Sequence, residues 1–196
     1  MIIGIVFGTL FVISAVTLGI TWLGKKLSGK LSVKRKRWWV FGHLAAVIVY
    51  FCGVGGSLTL ALLVNFLSDE ALIYAAHYLI QYFDWFLIIP GAFGSLITGI
   101  WLSVRSNWGG LTRYHWIFVK WLGNIAAILF GSIFIREWIH KSIQYAMEHP
   151  KENPAFWVNH DLLLAVTAAM FALLLFLTGI SVFKPWGTRR RFRSVK

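Results

Sequence analysis

The stretch RKRWWVFGHLAAVIVYFCGVGGSLTLALL, from Arg35 to Leu63, opens on a basic cluster and a tryptophan pair. It then runs from Val40 to Leu63 without a charged side chain. A bilayer's hydrocarbon core, about 30 Å thick, is crossed by about 20 apolar residues in a helix. Lys/Arg and Trp at the start of such a run are what a helix entering from a headgroup layer carries. The apolar run is continuous rather than alternating, which excludes a barrel strand. One residue is out of place in it, the imidazole of His43.

Four further runs follow the same logic. The spans read as Ile2–Leu23, Trp39–Leu67, Trp85–Val104, Tyr114–Ile135 and Val158–Phe183. The first has no basic n-region and no A-x-A site, so it is retained as a helix rather than a signal peptide. The whole chain, 196 residues, is 58% hydrophobic and 13% charged, where a soluble domain carries about 25% charge. The expectation is therefore a single all-α, polytopic membrane domain over residues 1–196. Its core is a four-helix bundle formed by spans two to five (residues 38–184), with residues 1–24 a peripheral helix. The stretches ALIYAAHYLIQYFD (71–84) and REWIHKSIQYAMEH (136–149) are helix-permissive and read as extensions of the bundle. Pro90 is tolerated inside span three and is expected to kink it.

Charge sets the orientation. Of 19 Lys and Arg, 16 fall on one side, in KKLSGKLSVKRKR (25–37), in the loop around Arg105 and Arg113, at Lys120, and in KPWGTRRRFRSVK (184–196). All seven acids fall on the other. The positive-inside rule then gives an outer N-terminus and a cytoplasmic C-terminus in a bacterial cytoplasmic membrane. The net charge of +12 is read as topology signal and contact with anionic lipid headgroups, with no nucleic-acid partner. Lys120, a turn inside span four, is expected to snorkel to the cytoplasmic interface. Cys52 is the only cysteine, which excludes a disulfide framework, a Cys-rich zinc site and C-x-x-C-H haem attachment. No phosphate-binding glycine loop, metalloprotease motif or Ser/His/Asp arrangement is present.

Four of the six histidines form a pattern. His43 opens span two and His115 span four, at the basic end; His77 precedes span three and His160 span five, at the acidic end. One imidazole per core helix, alternating between ends, offers two facing pairs that could each supply both axial nitrogens of a haem iron. Ala46, Gly53 and Ser57 share the face of His43, and a small residue such as Gly53 would let a flat macrocycle approach the backbone. From His77 the same face would carry Asp84, Gly91, Ser95 and Thr98. Asp84 and Asp161 could hydrogen-bond an imidazole and hold its tautomer. Equally, histidines at helix ends near headgroups need no ligand, and His140 and His149 are read so. Cu(I) prefers sulfur ligands, and Cys52, Met147 and Met170 make a thin set.

The stretches GHLAAVIVYFCGVGGSL, PGAFGSLITGIWLS, NWGGLTRYHWIFVKW and SVFKPWG resemble an uncharacterised family of small bacterial integral membrane proteins. More loosely, the one-histidine-per-helix scheme is similar to cytochrome b561-type and copper-resistance D-type membrane proteins. That second resemblance implies one or two b-type haems ligated by His43, His115, His77 and His160. The leading expectation is transmembrane electron transfer through bis-histidine haem, as a carrier or oxidoreductase subunit working with a redox partner or as a homo-oligomer. The alternative is a non-haem small transporter or an accessory subunit without enzymatic activity.

Overall fold

A computed structural model describes residues 2–147 and 149–187. Glu148 and the tail basics Arg189, Arg190, Arg191, Arg193 and Lys196 lie outside them. Among the described residues every element is a helix: α1 (Ile2–Lys26), α2 (Val33–Val64), α3 (Glu70–Phe83), α4 (Ile89–Arg105), α5 (His115–Phe130), α6 (Arg136–Ala146) and α7 (Pro154–Phe183). Helices α3 and α4 are joined without a break by a π-turn at Asp84–Ile88, and α5 and α6 by a second at Gly131–Ile135. Five helical rods long and apolar enough to cross a membrane result, so the chain is a multi-pass membrane protein.

The helix starts follow capping chemistry. Asp69 accepts from the Ala71 amide at 2.8 Å, and Asn153 from the Ala155 amide at 3.0 Å, with Pro154 at the first helical position. Lys184, in the left-handed region at φ 46°, closes α7 ahead of Pro185. The rods run beyond the spans expected from hydropathy, because the amphipathic stretches 70–83 and 136–146 continue them as helix.

Rods two to five close a ring: α2 packs on α3, α4 and α7, α4 on α5, α3 on α6, and α5 and α6 on α7. Glycine sets how tightly α2 packs. A Cβ at Gly53 would lie 2.7 Å from Ile88 Cγ1, and one at Gly91 would lie 2.6 Å from the Tyr50 backbone nitrogen. Bare backbones thus let α2 and α4 touch, the usual device where apolar packing has no water to exclude. Gly53 therefore serves a helix contact here, against Leu87 and Ile88.

Helix α1 lies outside this ring, against α4, α5 and the second π-turn, and buries Ile13 and Gly24. Arg105 ties its end down: the guanidinium donates to the Gly24 and Leu27 carbonyls, and the Arg105 carbonyl accepts from the Leu31 amide at 3.0 Å. The carbonyls left over at a helix C-terminus thereby find a cation.

Pro90 stands in the first turn of α4, directly after the π-turn. In a regular helix its ring would strike the Phe86 carbonyl; the wider π-turn directly ahead of it takes up that conflict. The extra residue in that turn also rotates α4 relative to α3. The face expected to run from His77 through Asp84, Ser95 and Thr98 is therefore split among separate sites.

Candidate functional site

His77 and His160 meet at the acidic end. Both are fully buried, and His77 Nε2 lies 3.2 Å from His160 Nδ1. The other nitrogens are engaged too: His77 Nδ1 lies 3.0 Å from the Ile73 carbonyl oxygen, and His160 Nε2 lies 3.4 Å from the side-chain amide of Asn65. These partners assign the protons. A carbonyl only accepts, so His77 Nδ1–H donates to Ile73, and Nε2 of the neutral ring is an acceptor. His160 Nδ1–H then donates to His77, which leaves His160 Nε2 to accept from Asn65. Asn65 sits at the C-cap of α2, so the chain of bonds fastens α2, α3 and α7 together. Phe156 stacks on His160 at 5.8 Å between centroids and meets His77 edge-on at 5.2 Å.

This arrangement does not fit a bis-histidine iron. A metal between two imidazoles at about 2.0–2.1 Å each needs nitrogens about 4 Å apart, each with a free lone pair. Here the nitrogens hydrogen-bond directly and both acceptor lone pairs are engaged. Neither ring lines either of the two cavities described below. The residues that hold the imidazoles are Asn65 and the Ile73 carbonyl; Asp161 is exposed, and Asp84 lies elsewhere.

The basic-end pair is not assembled. His43 Nδ1 lies 2.8 Å from Thr98 Oγ1, whose own hydroxyl bonds the Gly94 carbonyl at 2.6 Å. Thr98 therefore accepts, His43 Nδ1 donates, and Nε2 is left as the acceptor. His115 is exposed and donates from Nδ1 to the Gly187 carbonyl at 3.2 Å; it takes no part in the cavity that His43 lines. Among the described residues no three His, Cys, Asp or Glu side chains gather where they could hold a metal. Of the two remaining histidines, His140 is exposed and His149 lies 3.4 Å from Glu70.

Polar chemistry instead collects around two cavities. The first, of about 320 Å³, holds His43, Ser95, Lys120, Asn124 and Ser181 among tryptophans 108, 116 and 121. Lys120 lines this cavity and donates to the Ser181 hydroxyl, near the basic end of α7. Asn124, mid-span on α5, donates to Ser95 Oγ at 3.0 Å and to the Ala92 carbonyl at 3.2 Å. The second cavity, of about 490 Å³, is walled by all five rods. Its lining is apolar except for Asp84, Arg136, Tyr50 and a few hydroxyls, among them Ser57. Ser57 is 1% exposed and its hydroxyl has no partner.

Tyr50 lines both cavities and is itself 2% exposed. Its position is set by the close contact with Gly91. Sequence reasoning missed Tyr50, Asn65, Asn124 and Arg136. Asn124 alone carried a signal, as an amide inside an otherwise apolar span.

Compared with known protein families, curated proteins and solved structures, the chain matches none.

Proposed function

We propose that the protein is a non-haem small transporter, which moves a solute of modest size through the bundle past Tyr50. One observation carries the reading: two cavities with polar and charged side chains lie inside an apolar bundle and share a single buried residue, Tyr50. Polar groups at membrane depth are costly, and they are retained mainly where they line a pathway or a binding site. Both volumes are of the size that takes small molecules, about 300–1,000 Å³. Tyr50 serves as the partition, with a phenol that can hydrogen-bond toward either side. The wider cavity faces the acidic, outer end and the narrower one the basic, cytoplasmic end of a bacterial inner membrane. The Lys/Arg asymmetry supports that orientation.

The test is efflux from proteoliposomes loaded with a panel of small solutes: an amino acid, an amine, a carboxylate and a polyol. Wild-type protein is expected to release at least one of them faster than empty liposomes, and Tyr50→Trp to abolish that release. Equal rates for wild-type, Tyr50→Trp and empty liposomes across the panel would overturn the reading.

A further inference from the structure

The second cavity has a more specific chemistry than its volume. Of its lining side chains only two are charged, and they are of opposite sign: Asp84 from the π-turn after α3, and Arg136 from the residue after the second π-turn. The two groups interact electrostatically, yet they form no ion pair within 4 Å with each other or with any other described side chain. Ser57 adds a buried hydroxyl without a partner on the wall formed by α2. The rest of the lining, including Ile128, Leu163 and Met170, is apolar.

Both charges lie equally far along their rods from the basic-end residues. Twenty-one residues separate Asp84 from Arg105 on one rod, and twenty-one separate His115 from Arg136 on the next. At about 1.5 Å per residue that is about 31 Å from the basic end, the thickness of a hydrocarbon core. Each charge lies in or directly beside a π-turn, a distortion frequent at functional sites. An opposed carboxylate and guanidinium, held apart at an interface over an apolar pocket, match a ligand with one cationic and one anionic group on an apolar body.

We infer that the second cavity binds a zwitterion with an apolar body, its cation at Asp84, its anion at Arg136, and a polar atom within reach of Ser57. Two sources carry that chemistry, a free amino acid with an aliphatic side chain and the headgroup of phosphatidylethanolamine. The inference deepens the transport reading and rests on it for the ligand's route, but the site can be tested without transport.

The experiment is thermal unfolding of the full chain at pH 7.5, followed by tryptophan fluorescence, with L-leucine as probe. Two truncated probes, 3-methylbutylamine and 4-methylpentanoate, each lack one of leucine's charged groups. L-leucine is expected to raise the melting temperature in a saturable way, and both truncated probes to bind about tenfold more weakly or worse. Asp84→Asn and Arg136→Gln are each expected to remove the leucine shift while melting like wild-type without ligand. Should a variant fail to fold, discrimination among the three probes on wild-type protein still decides.

A lipid source appears as higher stability in nanodiscs containing phosphatidylethanolamine than in those of phosphatidylglycerol, lost in the same two variants. Absence of both effects, or equal binding of leucine by wild-type and both variants, overturns the site. Binding of leucine with no efflux of any solute of the panel from proteoliposomes would leave the site standing and overturn transport instead.

Discussion

His160 Nδ1 lies 3.2 Å from His77 Nε2, and with Asn65 and the Ile73 carbonyl this leaves every ring nitrogen of the pair engaged. Removing one ring strands the other. His160→Ala deprives His77 Nε2 of its donor and opens a void beside Phe156. It is expected to cost about 1–3 kcal/mol, read from chemical unfolding in detergent. A double-mutant cycle with His77→Ala should return a coupling of about 0.6 kcal/mol, the average for buried polar pairs in membrane bundles, and no more than about 1.7 kcal/mol. Additive effects would show that the contact contributes nothing.

The same bonding pattern predicts a colourless protein. Purified from haem-replete cells, it is expected to show no Soret or α-band in oxidised or dithionite-reduced spectra, and a negative pyridine haemochrome test. A b-type spectrum lost in His77→Ala would mean that the pair opens to admit iron, and would revive the electron-transfer expectation.

Helix contact through glycine gives a graded prediction. Gly91→Ala drives a methyl to within 2.6 Å of the Tyr50 backbone, where neither rod can yield easily. A loss of about 1–3 kcal/mol is expected, typical of overpacking. Gly179, on α7, has no atom within 4 Å of its virtual Cβ. Gly179→Ala is expected to be neutral or to stabilise by up to about 1 kcal/mol through helix propensity.

Arg105 fastens α1 to the ring through the Gly24 and Leu27 carbonyls. Arg105→Met should free the 27–32 connection, so that trypsin cuts at the exposed Lys30 faster than in wild-type protein. Global melting is expected to change little, because α1 contributes little to the core. An unchanged cleavage rate would assign the fastening to apolar packing of Ile13 and Gly24.

The helical rods are legible in the sequence, because continuous apolar runs are properties of segments rather than of contacts. The five rods and the meeting of His77 with His160 at one end follow from such segments. What the histidines do there is another matter. It depends on Asn65 and the Ile73 carbonyl, which spacing along a helix does not bring into view. Lys120 reaches Ser181 on α7, a partner that spacing along its own span does not name. The site around Tyr50, Asp84 and Arg136 was hidden for a further reason. Two π-turns each shift the helical register, so a face projected at a constant angle from His77 runs wide of the side chains that share a cavity.

The claim that the two cavities form one pathway divided by Tyr50 is tested most directly by thiol accessibility in sealed vesicles. In a Cys52→Ser background, single cysteines replace Ser181 in the first cavity, Ser57 in the second, and Leu63 on the exposed apolar surface. A charged, membrane-impermeant methanethiosulfonate reacts only where water supports a thiolate. Ser181→Cys should react from the basic-end side alone and Ser57→Cys from the opposite side alone, with Leu63→Cys inert. Adding Tyr50→Ala should make both cavity positions reactive from both sides. Cavity positions as inert as Leu63→Cys, or sidedness unchanged by Tyr50→Ala, would contradict the account.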